Sequence, residues 1–210
     1  ITEDSSKNIW MATYAQGLCK WEPTGNIKSY TTENSDLLTN YIAGLSCRDG
    51  KILYIATGSG VYRMNTETDS LSEIRHKRTG KTLMSDNFAN CIFEDSRGLI
   101  WIGGRKEVCA YNPQNDYITY ITTNDGLSHP KVKAITEDNN HNIWISTDHG
   151  ITYVVVNHKS KGNYTLECYP YYKEDGLGNY TFNNFSIFCN NKGNILIGGA
   201  GGYVEIDPNI

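Results

Sequence analysis

Ile92-Phe93-Glu94-Asp95-Ser96-Arg97-Gly98-Leu99-Ile100-Trp101-Ile102-Gly103-Gly104 reads as two short strands joined by a tight turn. Apolar residues fill both flanks, Asp95 can hydrogen-bond to its own turn, and Gly98 supplies the positive φ that closes it. The same phrase stands at Ile1-Thr2-Glu3-Asp4 through Ile9-Trp10-Met11-Ala12-Thr13. It returns at Ile135-Thr136-Glu137-Asp138 through Ile143-Trp144-Ile145-Ser146-Thr147. In all three copies Asp precedes Trp by six residues.

Two weaker copies fill the gaps: Arg48-Asp49-Gly50 leading to Tyr54-Ile55-Ala56-Thr57, with one inserted residue, and Asn190 to Gly193 leading to Leu196-Ile197-Gly198-Gly199. The anchors at 10, 54, 101, 144 and 196 are spaced 44, 47, 43 and 52 residues apart. That is the period of a four-stranded propeller blade, about 40–50 residues. The sequence therefore predicts an all-β β-propeller of about five consecutive four-stranded blades, at approximately 1–40, 41–87, 88–130, 131–182 and 183–210. In the third repeat the strands are expected at 90–94, 99–103, 108–112 and 117–122, with the loop Asp125-Gly126-Leu127-Ser128 leading onward. The anchors Trp10, Trp101 and Trp144 are expected in the core between sheets. Trp21 stands where the third repeat has Tyr111 and is expected to pack on an outer strand.

Composition agrees. Tyr (15) and Gly (20) are abundant, the mixture of strand and turn residues an all-β chain needs, and no helix longer than two turns is expected. A net charge of −4 and a pI near 5.7 give no basic field, which argues against nucleic acid or an anionic membrane surface as partner. No apolar run is long enough to span a bilayer and no signal segment opens the chain. Cys19, Cys47, Cys91, Cys109, Cys168 and Cys189 are widely spread, without a CxxC, and are expected as buried free thiols.

The phrase Glu-Asp-x-x-Gly-x-Ile-Trp-Ile-Gly, with Asp-Gly-Leu-Ser about ten residues ahead of the next copy, resembles the two-component regulator propeller repeat. The resemblance covers nearly the whole chain, most strongly residues 88–153. It implies the periplasmic sensor region of a hybrid two-component histidine kinase, as found in Gram-negative glycan degraders. An oligosaccharide would be the ligand, and the kinase would lie elsewhere in the parent chain. The pattern Gly201-Gly202-Tyr203-Val204-Glu205-Ile206-Asp207-Pro208 looks like the last blade before a β-sandwich leading to the membrane. The second repeat departs by lacking Trp and the fifth by carrying Leu196. A long loop after Val156, with residues 159–163 and 169–172, reads as an inserted outer hairpin.

HExxH and GxSxG do not occur; Thr57-Gly58-Ser59-Gly60 reads as a turn. The glycines at 198–202 do not open a helix and so offer no phosphate cradle. Asp138-Asn139-Asn140-His141-Asn142 mimics half a calcium loop, but Ile143 stands where Gly is required and His149 where Glu is, so a hairpin turn is expected. His76, His129, His141, His149 and His158 show no recurrent carboxylate pairing. Sequons at Asn163, Asn179 and Asn184 are expected to be unmodified. No metal, cofactor or catalytic residue is assigned, and an enzyme is the least supported class.

Antiparallel blades bring the loops from fourth strand to next first strand, and from second to third, onto one face. On it fall Tyr14, Gln16, Ser59, Arg105, Lys106, His129, Lys131, Asp148, His149, Asn183 and Asn184, a set suited to stacking on and hydrogen-bonding a polar sugar. The candidate ligand-binding residues are Tyr14, Gln16, Arg105, Lys106, His129, Asp148, His149 and Asn183. An interaction propeller that docks proteins is the alternative, and would show an apolar patch of several hundred Å² on that face. Because Ile1 aligns inside a first strand and the fifth repeat stops after its third, an open propeller fragment is expected, one that associates with itself or with absent blades.

Overall fold

The computed structural model describes residues 1–159, 162–178 and 181–208. Ser160 and Lys161 of the long loop after Val156, Asn179 and Tyr180, and the final two residues lie outside the described set. The chain divides into two compact units, Ile1–Glu94 and Asp95–Ile210.

In the first unit, β1 (Thr2–Glu3), β2 (Ile9–Ala12), β3 (Leu18–Trp21) and β4 (Ile27–Tyr30) form an antiparallel sheet in chain order. β5 (Ile42–Ser46), β6 (Ile52–Thr57), β7 (Gly60–Asn65) and β8 (Leu71–Glu73) repeat the pattern, and β9 (Cys91–Glu94) ends the unit. In the second unit come β10 (Ile100–Gly103), β11 (Val108–Asn112) and β12 (Tyr117–Ile121). Then follow β13 (Val132–Glu137), β14 (Ile143–Thr147), β15 (Ile151–His158) and β16 (Tyr164–Tyr171). β17 (Phe182–Cys189), β18 (Ile195–Gly199) and β19 (Gly202–Ile206) make a three-stranded sheet among the described residues. The strands of the third repeat fall within a residue of their expected ends. No helix among the described residues is long and apolar enough to cross a membrane.

The expected insertion after Val156 is not a separate element. β15 and β16 pair along eight residues each, from Ile151↔Tyr171 to His158↔Tyr164. The alternation and β-branching of this stretch lengthen the ordinary third-to-fourth-strand hairpin of the blade. The cysteines are free, but only Cys91 and Cys109 are buried; the other four are half-buried, Cys19, Cys168 and Cys189 on strands with one face toward solvent and Cys47 just past the end of β5.

The repeated Asp has a role that its spacing alone does not reveal. Oδ1 of Asp95 accepts the backbone N–H groups of Arg97 and Leu99, both at 2.9 Å, while Oδ2 accepts Trp101 Nε1–H at 2.9 Å. Asp4 and Asp138 do the same, with Trp10 at 2.8 Å and Trp144 at 2.9 Å. Each carboxylate and its indole are buried, so a charge that would be costly alone is satisfied by three or more donors. The next turn position is left-handed in every such copy: Lys7 (φ 67°), Gly98 (φ 79°), His141 (φ 63°) and, in the fifth repeat, Gly193 (φ 89°). Glycine occupies it without strain; lysine and histidine do not.

Alternation puts the anchors inside. Trp10, Leu18, Tyr30, Leu37, Ile42, Leu53, Ile55, Tyr62 and Met64 form one core, with Trp10 stacked on Tyr30 at 5.8 Å. In the second unit Trp144, Ile151, Leu177, Phe182, Ile195 and Ile197 form another. Trp21 breaks the expectation of outer-strand packing: it lies at the end of β3 opposite Ile27 and is 50% exposed. Nearby, Asp69 bridges Lys20 at 3.0 Å and Lys28 at 2.7 Å, and the buried Lys20 ammonium lies 5.1 Å from the Trp10 ring centroid.

Candidate functional site

The loop face is built by backbone hydrogen bonds that tie second-to-third-strand turns to the segments leading into their own blade and into the next one. In the first unit Ile42 N–H donates to Thr13 C=O, Gly58 N–H to Tyr41 C=O and Ala89 N–H to Thr57 C=O. In the second, Val132 N–H donates to Gly104 C=O, Asp148 N–H to Lys131 C=O and Ala200 N–H to Thr181 C=O. A threonine at the end of the second strand, or one residue past it, holds the turn: Thr13, Thr57 and Thr147 donate through Oγ1 to the carbonyls of Gly17, Gly60 and Gly150 at 2.7, 2.8 and 2.9 Å. Those glycines have φ of 74°, 106° and 96°, so the turns are fixed platforms for the residues between.

On the first unit, Tyr14 and Gln16 share the turn after β2, both exposed, with Gln16 N–H held by Thr13 Oγ1 at 2.9 Å. Tyr14 is 83% exposed and meets Tyr41 edge-on, ring centroids 5.0 Å apart. Tyr41 stacks with Phe88 at 6.2 Å. Neither Tyr41 nor Phe88 was singled out from the sequence. The available signal was their shared place in the repeat, seven residues before the turn Asp once the extra residue of the second copy is allowed for.

On the second unit the structure brings His129, Asp148 and His149 together. The two imidazoles meet edge-to-face at 4.9 Å. Asp148 accepts from Lys131 at 3.1 Å and from Lys133 at 2.6 Å. Lys133 reaches it because a β-bulge between Val132 and Ala134 re-aims that position. Burial pushes the His129 pKa down, helped by His149, so this ring is neutral near pH 7. Burial acts to raise the Asp148 pKa, but the hydrogen bonds from Lys133 and Lys131 outweigh it and hold the carboxyl below its ordinary value.

His149 also lines a cavity of about 440 Å³ with Tyr172, Lys173, Glu174, Thr181 and Phe182. Its wall is a 3-10 turn, Lys173–Asp175, closed by Tyr172 N–H donating to Asp175 Oδ2 at 2.7 Å and by Gly176 in the left-handed region. Asn183 follows the lining residue Phe182 on β17 and is exposed; it does not itself line the cavity. Arg105 and Lys106 stand exposed in the turn between β10 and β11, outside this cluster. The calcium-like stretch is the hairpin turn, since both Asp138 oxygens are engaged by the turn and by Trp144. Among the described residues no three His, Cys, Asp or Glu side chains are grouped to hold a metal.

The two-component regulator propeller family matches residues 83–106 and 126–149. No curated protein matches the chain. The extracellular domain of a hybrid two-component system from B. thetaiotaomicron is 25% identical with a TM-score of 0.81, over 99% of this chain and 27% of that one. The extracellular domain of a one-component system from the same organism is 20% identical with a TM-score of 0.69, over 95% of this chain and 26% of that one. A catalytically inactive virginiamycin B lyase from Staphylococcus aureus shares the fold at 14% identity and a TM-score of 0.69, over 99% of this chain and 66% of that one. The chain thus spans about a quarter of the first two structures, and so wide a range of functions on one fold leaves the loops to decide activity. The chain is thus a run of β-propeller blades with recurrent Asp–Trp turns, in which residues 83–106 and 126–149 match the two-component regulator propeller repeat and whose fold is shared with those extracellular domains.

Proposed function

We propose that this chain is the ligand-reading part of a periplasmic sensor, that its loop face takes up an oligosaccharide, and that binding biases a kinase carried elsewhere in the parent protein. The observation that carries the reading is the cavity of about 440 Å³ on the second unit's loop face. Its volume lies within the range of ligand pockets, about 300–1,000 Å³. Its lining alternates an aromatic ring, Tyr172, with the polar groups of His149, Lys173, Glu174 and Thr181 over an apolar floor of Leu177 and Phe182. A sugar has the same alternation, apolar ring faces bordered by hydroxyls. The chain itself is read as non-catalytic: a ligand held by loops on rigid blades shifts a two-state equilibrium in proportion to its differential affinity for the two states.

The test is thermal shift of the intact protein against a panel of glycan fragments. A ligand at a hundredfold excess over its Kd stabilises the native state by about 2.7 kcal/mol. At about 2–4 °C per kcal/mol that is about 5–10 °C in Tm. His149→Ala and Tyr172→Ala should abolish the shift without lowering the Tm of the free protein. If no glycan moves the Tm while a protein partner co-purifies, the propeller is an interaction module and the sugar reading is wrong.

A further inference from the structure

We infer that Tyr14, Tyr41 and Phe88 form a second binding site, a stacking platform for consecutive rings of a neutral oligosaccharide. This rests on the reading of the protein as an oligosaccharide sensor, but concerns a different set of residues on the first unit. The three rings come from three of four successive loop segments that backbone hydrogen bonds fasten together, through Thr13 and Ile42, Tyr41 and Gly58, and Thr57 and Ala89. Tyr14 and Tyr41 lie 5.0 Å apart with an interplanar angle of 72°, and Tyr41 and Phe88 lie 6.2 Å apart at 23°. The rings therefore make a continuous row on the scale of adjoining sugar residues.

Gly58 makes room for the middle ring. A Cβ there would come within 2.9 Å of Tyr41 Cδ1, so only bare backbone lets Tyr41 settle over the turn and hold Tyr14 upright. Tyr14 is 83% exposed and meets the Tyr41 ring edge-on, an aromatic surface presented to water. Aromatic rings bind through face and edge, and pyranose C–H faces present the complementary apolar surface with hydroxyls at the rim. Gln16 and Ser59, in the same two turns, supply polar groups at that rim. No Lys, Arg, Asp or Glu is among these residues, which favours a neutral glycan over an acidic one. At the equivalent positions of the second unit stand Arg105, Lys131 and Asp148, so the platform belongs to the first unit.

The experiment is calorimetry on the intact protein with neutral cello-, xylo-, manno-, galacto- and arabino-oligosaccharides. Tyr14→Ala should weaken the best binder about tenfold or more, a loss of about 1.4 kcal/mol, while Tyr14→Phe retains it. Tyr14 is too exposed for its truncation to unfold the protein, so the free Tm should not move. Gly58→Ala, which pushes Tyr41 off its seat, should weaken binding as Tyr14→Ala does. Binding that survives Tyr14→Ala and Gly58→Ala within twofold, but is lost in His149→Ala, overturns the platform and leaves the cavity reading standing. The converse pattern supports the platform and refutes the cavity. Acidic oligosaccharides binding in place of every neutral one would overturn it, and no binding by any sugar would overturn both.

Discussion

Replacing Asp95 by Ala should be among the most damaging single changes this chain can suffer. The side chain is fully buried, as is Trp101, and it serves five donors. These are the backbone N–H groups of Arg97 and Leu99, the Trp101 indole N–H, and Nε and Nη2 of Arg97 at 3.0 and 2.7 Å. Alanine leaves the Leu99 and Trp101 donors buried without partners, at about 1–3 kcal/mol each. It also strips a partly buried guanidinium of its nearest carboxylate, although Arg97 keeps Glu137 at 3.8 Å. The total loss should be about 3–5 kcal/mol, against a whole-domain stability of about 5–15 kcal/mol. Asp95→Asn keeps one acceptor oxygen and the steric fit but turns an amide N–H₂ toward other donors, so it should cost about half as much. Guanidinium denaturation followed by tryptophan fluorescence gives both numbers, with Trp101→Phe as the control that removes the donor together with the need for its acceptor. If Asp95→Ala costs under 1 kcal/mol, the buried Asp–Trp pair is not what holds the repeat turn and the argument fails for Asp4 and Asp138 as well.

The left-handed turn position gives a change of opposite sign. Lys7→Gly should raise stability by about 0.5–1 kcal/mol, since it relieves φ of 67° at the expense of an exposed ion pair with Glu3, whereas Gly98→Ala should lower it by about 1 kcal/mol; urea midpoints of the two variants settle the matter. The Asp69 pKa sits at about 2: burial alone would raise it, but the hydrogen bonds from Lys28 at 2.7 Å and Lys20 at 3.0 Å, and the positive charge they bring, outweigh that. A depressed folded pKa adds stability that is full above the unfolded value near 4 and is lost as pH falls from about 4 to about 2. Asp69→Asn should therefore flatten the acid limb of the Tm-against-pH curve by about 1–2 kcal/mol, and a limb unchanged in that variant would assign the acid sensitivity elsewhere.

The blade period, the strands of the third repeat and the burial of Trp10, Trp101 and Trp144 were legible in the chain because they follow from local rules. A turn that needs Asp and a left-handed residue, flanked by alternating apolar positions, can be read one repeat at a time. The same locality explains what was misread. Residues 159–163 and 169–172 looked like an inserted outer hairpin because nothing in a short window says that the blade's own third and fourth strands pair over eight residues. Trp21 looked like a packed residue because burial at an outer strand depends on what lies beyond it.

The loop face was legible as a face but not as sites. Antiparallel connectivity alone places Tyr14, Arg105, His129, Asp148 and His149 at the same end of their blades. Which of them meet is decided in three dimensions: the bulge that turns Lys133 toward Asp148, the edge contact of His129 with His149, and the wall from Tyr172 to Asp175 that makes a cavity. Likewise the spacing of Asp and Trp by six residues was plain in the sequence, but that one carboxylate caps a turn with one oxygen and holds an indole with the other is set only when strand and turn fold back on each other. Sequence determines what repeats, because the backbone imposes the same local geometry on each copy; tertiary structure decides what differs between copies, because contacts across loops depend on side chains far apart in the chain.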